Sequence, residues 1–281
     1  MAVLIQAVAL GMLVMLAGTL PRNMLFAANL TYLPGLPWAV PLVGVYLWMF
    51  WRYLGGWGPP PSTARQRRAW LRARPLAARV WIWSLVAGGL GIVALVLALR
   101  VANRLVALPS QQLPDLSQVP AATVVALLLA AAPVAGIVEE AAFRGYMQGP
   151  IEHRYGPVVA IAVTGTLFAV AHLDFTLVLW PYYVAVAAVY GMVTYLSQSI
   201  LPAVILHTAG NLYSNMDLWL HGQAEWQASA APPALVWTHG ADAAFWWSLA
   251  ACLLATVAAI GAYLRLATAA RRASTADGVV T

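Results

Sequence analysis

Apolar residues come in long unbroken runs along nearly the whole chain, and each run has about the length of a bilayer crossing. Eight can be marked, at about 2–20, 35–54, 79–99, 119–142, 157–173, 176–198, 200–220 and 244–267. About 20 apolar residues cover a ~30 Å hydrocarbon core as a helix. A backbone in lipid must satisfy its own hydrogen bonds, and continuous runs do so as helices. Ten-residue segments of alternating polarity, the mark of a barrel, are absent. The pattern predicts an all-α polytopic membrane protein, a bundle of about eight transmembrane helices. The fourth run is expected to continue as a helix through Glu139 and Glu140 to about His153. A turn is expected at Tyr155-Gly156-Pro157, and Pro133 marks a candidate break in the fourth run.

Composition excludes the soluble alternatives. Of the 281 residues, 62% are hydrophobic and 9% charged, with mean hydropathy +0.77. A water-soluble domain cannot hide that much apolar surface. All fifteen basic residues are arginines. Seven fall at 52–79, in and beside the loop 55–78, and three in the C-terminal tail; with Arg144 and Arg154 they place twelve of the fifteen on one side of an eight-helix weave. The positive-inside rule makes that side cytoplasmic, with both termini inside and Arg22, Arg100 and Arg104 outside. The net charge of +6 then describes topology. The basic loop is read as resting on anionic headgroups, with Trp70 and Leu71 as interfacial residues and no nucleic acid as partner.

The first run lacks a basic leader and a cleavage site and is read as a retained helix. Cys252 stands alone, so no internal disulfide forms. Asn29-Leu30-Thr31 fits the glycosylation acceptor pattern. No internal repeat is visible, which argues against a transporter built from inverted repeats. The whole of 1–281 is treated as one membrane domain: N-terminal helices at 1–118, a core at 119–216 and a final helix at 244–267.

The polar residues inside the apolar runs carry the candidate chemistry. Glu140 and Arg144, Phe168 and His172, and His207 and Asn211 are each four apart, on three runs. An i, i+4 pair shares one face of a helix, and intramembrane polar residues turn inward. Glu139 lies 17 residues before Gly156 and His172 16 after it. Both therefore sit about 25 Å from the turn, level across a hairpin. His207 is placed nearer the inner surface. Glu140 pairs with Arg144, which leaves Glu139 without a local counter-ion and able to serve as a base beside a histidine. His207 and Asn211 can donate to the oxyanion of a tetrahedral intermediate. Asp174 is read as a helix-end residue, Asn215 as a supporting partner of the site, Glu152 and Arg154 as interfacial charges, and His153, His221 and His239 as solvated.

EEAAFR fits EExxxR, FAVAH fits FxxxH and HTAGN fits HxxxN. In that order on membrane helices they resemble the CPBP family of intramembrane proteases, which includes type II CAAX prenyl endopeptidases and bacteriocin-immunity proteins. The resemblance covers about 119–216. It implies a catalytic cavity open to the cytoplasm, in which Glu139 and His172 activate water and His207 and Asn211 form the oxyanion site. Glu140, Arg144 and Phe168 would give structural support. The implied partners are membrane lipid and a peptide or protein substrate, in a bacterial inner membrane. No cofactor is expected; zinc, if used, would be held by Glu139, His172 and His207. A proton-coupled transporter and a non-catalytic immunity or scaffold protein are the competing readings.

Overall fold

The computed structural model describes residues 1–108, 116–172, 179–222 and 234–276. Among them there is no strand. Helices follow in the order α1 (Ala2–Tyr32), α2 (Ala39–Leu54), α3 (Ala64–Leu71), α4 (Ala78–Leu105) and α5 (Ala121–Glu139). A π-helical segment (Glu140–Gln148) then runs into α6 (Gly149–Tyr155), followed by α7 (Pro157–Ala171), α8 (Trp180–Ser197), α9 (Leu201–His221), α10 (Val236–His239) and α11 (Ala243–Ala276). Each of the eight expected runs carries one long helix. Among the described residues four spans are long and apolar enough to cross a membrane by length and composition: Ala2–Tyr32, Ala78–Leu105, Ala121–Tyr155 and Ala243–Thr275. The chain is an all-α polytopic membrane protein. The fourth run continues as one helical rod to Tyr155, and Pro133 lies inside it without a break. Gly156 makes the expected turn with φ +85°, a conformation that a glycine adopts without strain.

Contacts gather in two units. The first draws on residues 1–73, 112–160 and 204–220, the second on 74–111, 161–203 and 221–281.

In the first unit α1 runs on past the end of its expected segment, through Pro21 to Tyr32. Proline withholds the N–H that would bond the carbonyl four residues back. That carbonyl, on Ala17, is taken instead by the Tyr46 hydroxyl of α2. The α1–α2 connection is held by Asn29, which is fully buried. Its amide donates to the Leu33 and Leu36 carbonyls at 3.2 and 2.9 Å, and its Oδ1 accepts from the Ala39 N–H at 2.9 Å. This corrects the glycosylation reading, since every polar atom of that side chain is spent inside the fold. Small residues let α1 lie directly on the rod of α5 and the π segment, as close helix contact in a bilayer requires. A Cβ on Gly18 would sit 2.3 Å from a Val138 methyl, and one on Gly11 2.7 Å from the Met147 methyl. The two run antiparallel, and the Met1 amino group donates to Tyr155 Oη at 2.9 Å.

The basic loop is only partly a surface feature. Arg67 is buried. Its guanidinium donates to the carbonyls of Tyr53, Trp57 and Gly58 at 2.9, 3.1 and 2.9 Å, and also to Thr63. Arg72 is buried too and pairs with Glu152 at 3.1 Å, so Glu152 is an internal partner and not a free interfacial charge. Trp70 meets Tyr146 edge-on with ring centroids 5.6 Å apart, and Leu71 is buried. Leu71 therefore faces protein, which corrects its interfacial reading, while Trp70 is half-buried. The amphipathic turn of α3 explains it: Arg67 and Leu71, four apart, share the inner face while Arg65 and Arg68 stay exposed.

The second unit is built on α4 and α11, which lie side by side along small residues. Val80, Ala87, Ala262, Leu266 and Ala269 form its buried core. At one end Asp242 caps α11 through the Phe245 N–H at 2.9 Å and accepts two bonds from Arg104 at 3.1 and 3.2 Å. The Arg104 guanidinium holds the exposed Asp242 carboxyl below its usual range. Tyr263 donates to the Val189 carbonyl of α8 at 3.1 Å.

Arg67→Ala is expected to destabilise the protein by about 2–4 kcal/mol, because buried carbonyls lose a charged donor. The exposed Arg65→Ala should stay within about 0.5 kcal/mol. Thermal unfolding in detergent micelles measures both.

Candidate functional site

Two motifs meet in the first unit because two helices touch where one of them has no side chain. A Cβ on Gly136 of α5 would sit 2.2 Å from Thr208 Oγ1, 2.9 Å from the Thr208 nitrogen and 3.1 Å from the Val204 carbonyl of α9. One turn on from Gly136 along the rod come Glu139 and Glu140. One residue before Thr208 comes His207. Further along, Asn215 donates to the Leu128 carbonyl at 2.8 Å and ties α9 to α5 a second time. Asn215 is thus a strut between helices; its observed bond goes to backbone and not to a site residue.

Glu140 is the hub. Its Oε1 accepts from Arg144 Nη1 at 2.9 Å and from His207 Nδ1 at 2.8 Å. Both charged side chains of the i, i+4 pair are at most 1% exposed, and His207 is buried. Glu140 Oε2 is buried and accepts no bond among the described residues. A carboxylate only accepts, so His207 must donate from Nδ1, and its Nε2 turns toward Glu139, 3.8 Å from Oε2. That distance is longer than a hydrogen bond. The His207 ring therefore has a glutamate at each nitrogen, and its tautomer is set by the one deeper in the protein. His207 stands level with both glutamates, which corrects the expectation that it lies nearer the inner surface.

Glu139 is more open than Glu140, with its side chain 14% exposed. It also has an electrostatic neighbour that the sequence reading did not supply. Arg22 of α1 lies close enough for its charge to act on Glu139. The Arg22 Nε is buried and makes no hydrogen bond among the described residues. Glu139 lacks a counter-ion only along its own helix. Nothing in the sequence could pair residues 22 and 139, because the pairing is made by the Gly18–Val138 contact one turn away.

Asn211 lies four residues beyond His207 on α9, half-buried, with no hydrogen bond among the described residues. His172 and Phe168 belong to the second unit. There the Phe168 carbonyl is 2.8 Å from His172 Nδ1. A carbonyl only accepts, so Nδ1 donates and Nε2 of the neutral ring keeps its lone pair. Tyr183 of α8 stacks on the imidazole, with centroids 4.2 Å apart and planes 27° apart. Phe168 is buried and packs on the same ring at 4.5 Å. His172 itself is exposed. Asp174 lies outside the described residues. Among the described residues no three His, Cys, Asp or Glu side chains form a metal-binding group.

The backbone carrying the glutamates is unusual. The nine residues Glu140–Gln148 form a π-helix and all are buried. Helices of this kind are rare and gather at functional sites. A smooth α-helix was expected here. Gly145 allows the wider turn to lie against α3, where a Cβ would come within 3.0 and 3.2 Å of the Trp70 and Leu71 carbonyls.

Residues 121–213 match the family model of type II CAAX prenyl endopeptidase Rce1-like proteins. The matched segment is about a third of the chain and contains all three motifs. It is the family that the motifs resemble, and it supports a CAAX-type intramembrane protease at family level. No curated protein and no solved structure matches the chain.

Gly136→Ala is expected to lower activity more than it lowers stability. The added methyl forces α9 away from α5, at a cost of about 1–3 kcal/mol, and draws His207 off Glu140. Pairing it with Thr208→Ala, which removes the nearest clashing atom, should restore part of the loss. Activity and melting temperature of both variants, measured side by side, check this.

Proposed function

We propose that the chain is an intramembrane endopeptidase that hydrolyses a peptide bond of a membrane-associated peptide or protein, with Glu139 as the base. The observation that carries this reading is the linked set Arg144–Glu140–His207–Glu139, assembled from two helices of a protein whose surroundings are lipid. Buried charge of this kind is expensive, by roughly 2.5–3.5 kcal/mol per group on the lenient scale, and is kept where it works.

In the proposed reaction Glu139 takes a proton from water as the oxygen attacks the peptide carbonyl. His172, whose Nε2 lone pair is available in the second unit, is the histidine that the resemblance implies as a partner of Glu139 in activating water. The carbonyl oxygen becomes an oxyanion, which receives hydrogen bonds from the Asn211 amide and from His207 Nε2–H when that ring carries both protons. Glu139 then passes its proton to the leaving amine as the carbon–nitrogen bond breaks. Glu140 holds the His207 ring through Nδ1, much as a buried carboxylate orients a catalytic imidazole elsewhere, and Arg144 balances the charge of Glu140. Arg22 adds positive charge beside Glu139. No metal is needed in this scheme. The orientation proposed is both termini cytoplasmic, in a bacterial inner membrane, with a membrane-associated peptide as substrate.

Glu139→Gln, isosteric and uncharged, should lower cleavage by about 10²–10⁴-fold. Asn211→Ala should lower it by about 10²–10³-fold, with the loss in kcat. Comparison of membrane proteomes from wild-type and Glu139→Gln cells should show peptides or precursors that accumulate only in the variant. Identical proteomes, with the variant protein present and folded, would overturn the reading.

Arg22→Gln tests the role of α1. Activity is expected to fall about tenfold, the effect of roughly 1.4 kcal/mol of lost electrostatic support. Arg22→Lys should keep most of it. The kcat of the two variants decides whether charge is what matters at that position.

A further inference from the structure

The second unit holds a cavity that the proposed chemistry does not use. It opens between the start of α4 and the end of α11 and measures about 60 Å³. Arg79, Arg265 and Arg272 line it, with Trp83, Thr268 and Ala269. All three arginines are exposed. None of their guanidinium groups has a hydrogen bond or ion pair among the described residues, and neither α4 nor α11 contains an acidic residue. The two helices are nevertheless packed side by side here, with Val80, Leu266 and Ala269 buried in their shared core. Three like charges thus converge where no acidic group among the described residues answers them.

We propose that this cavity is a binding site for the phosphate of an anionic membrane phospholipid. Guanidinium groups match phosphate oxygens in fork geometry. The Thr268 hydroxyl lines the same wall with its proton given to the Leu264 carbonyl at 2.8 Å, and the cavity has room for a small oxyanion. A lipid source fits better than free phosphate because of what lies beside the arginines. Ile82 and Val86 on α4 and Leu264, Ile260 and Val257 on α11 are exposed apolar side chains, so both helices offer acyl-chain surface in the turns next to the charged mouth. Basic pockets between transmembrane helices at the membrane surface take anionic headgroups by this chemistry. A bound phosphate would relieve the repulsion among the three arginines and clamp α4 to α11. The site lies outside residues 121–213 and does not depend on the chain being a peptidase.

The test uses the full-length protein in a neutral detergent, titrated with short-chain phosphatidylglycerol and followed by native mass spectrometry and melting temperature. Phosphatidylcholine and inorganic phosphate are run in parallel. The expected result is retained phosphatidylglycerol and a raised melting temperature, with neither effect from phosphatidylcholine or inorganic phosphate. Each arginine contributes about 1 kcal/mol to headgroup attraction. Arg272→Gln alone should therefore weaken binding about fivefold, and the triple change Arg79→Gln, Arg265→Gln and Arg272→Gln on the order of a hundredfold. The charge-matched triple change Arg65→Gln, Arg68→Gln and Arg74→Gln should leave binding intact. Equal weakening by both triple changes would reduce the effect to diffuse charge and overturn the proposal. So would arginine-dependent binding of inorganic phosphate without binding of the lipid. If the triple variant does not fold, the single Arg272→Gln variant decides: unchanged affinity overturns the proposal.

Discussion

One carboxylate oxygen carries the arrangement of the first unit. Glu140 Oε1 accepts from Arg144 on its own helix and from His207 on α9. Ionised glutamate in a lipid-facing protein is tolerated only when donors surround it, and here two charged or chargeable donors share a single acceptor. That shared contact makes each of the three side chains depend on the others. Without Arg144, Glu140 is buried with too little positive charge around it. Without Glu140, Arg144 is a guanidinium at most 1% exposed, and the His207 ring loses what orients it. Removing one partner of a buried pair costs far more than the pair is worth in total. The proposed catalysis and the fold therefore use the same side chains.

The contact exists because backbones come unusually close, and glycine is what allows it. In lipid no hydrophobic drive pulls apolar helices together, so close contact and internal hydrogen bonds must do so. Gly136 brings α9 to α5, Gly18 and Gly11 bring α1 to the same rod, and Gly145 brings α3 to the π segment. These four positions lie within or against the stretch 121–155, which is why that stretch is the most enclosed helix of the first unit. A rod gripped from several sides has little freedom to move its two glutamates. A site that relies on a base held in place gains from such rigidity.

Much of this was legible in the chain. Long apolar runs gave all eight long helices, because in lipid the only regular choice for such a run is a helix. The spacing of Glu140 and Arg144 predicted their pair, since a local i, i+4 relation needs no tertiary knowledge. What escaped were relations set by contact between distant segments. The Arg22–Glu139 proximity depends on helix register. Burial of Arg67 and Arg72 depends on a loop folding back on carbonyls and on Glu152, where charge counting alone placed them at the membrane surface. Asn29 looked like a surface acceptor because a three-residue pattern carries no burial information. The π segment escaped because nine residues of ordinary helical composition, EAAFRGYMQ, give no periodic sign of a wider turn. The prolines misled in the other direction: Pro21 and Pro133 sit inside helices, and at Pro21 the carbonyl left open on Ala17 is answered by Tyr46.

The matched segment and the physical site do not coincide. Residues 121–213 hold every motif, yet α1 lies wholly outside them and supplies both the glycine contacts on the rod and the charge of Arg22 beside Glu139. A guanidinium whose Nε is buried without a hydrogen bond among the described residues is costly, and its charge here acts on Glu139, which also faces His207. The N-terminal helices are thus more than a membrane anchor for a separate core. Most of α1 makes no such contact; Gly11 and Gly18 meet the glutamate rod closely, and Arg22 brings its charge to Glu139. Three positions spread over a 31-residue helix make no motif in the sequence, because what joins them is contact with another segment and not spacing along their own.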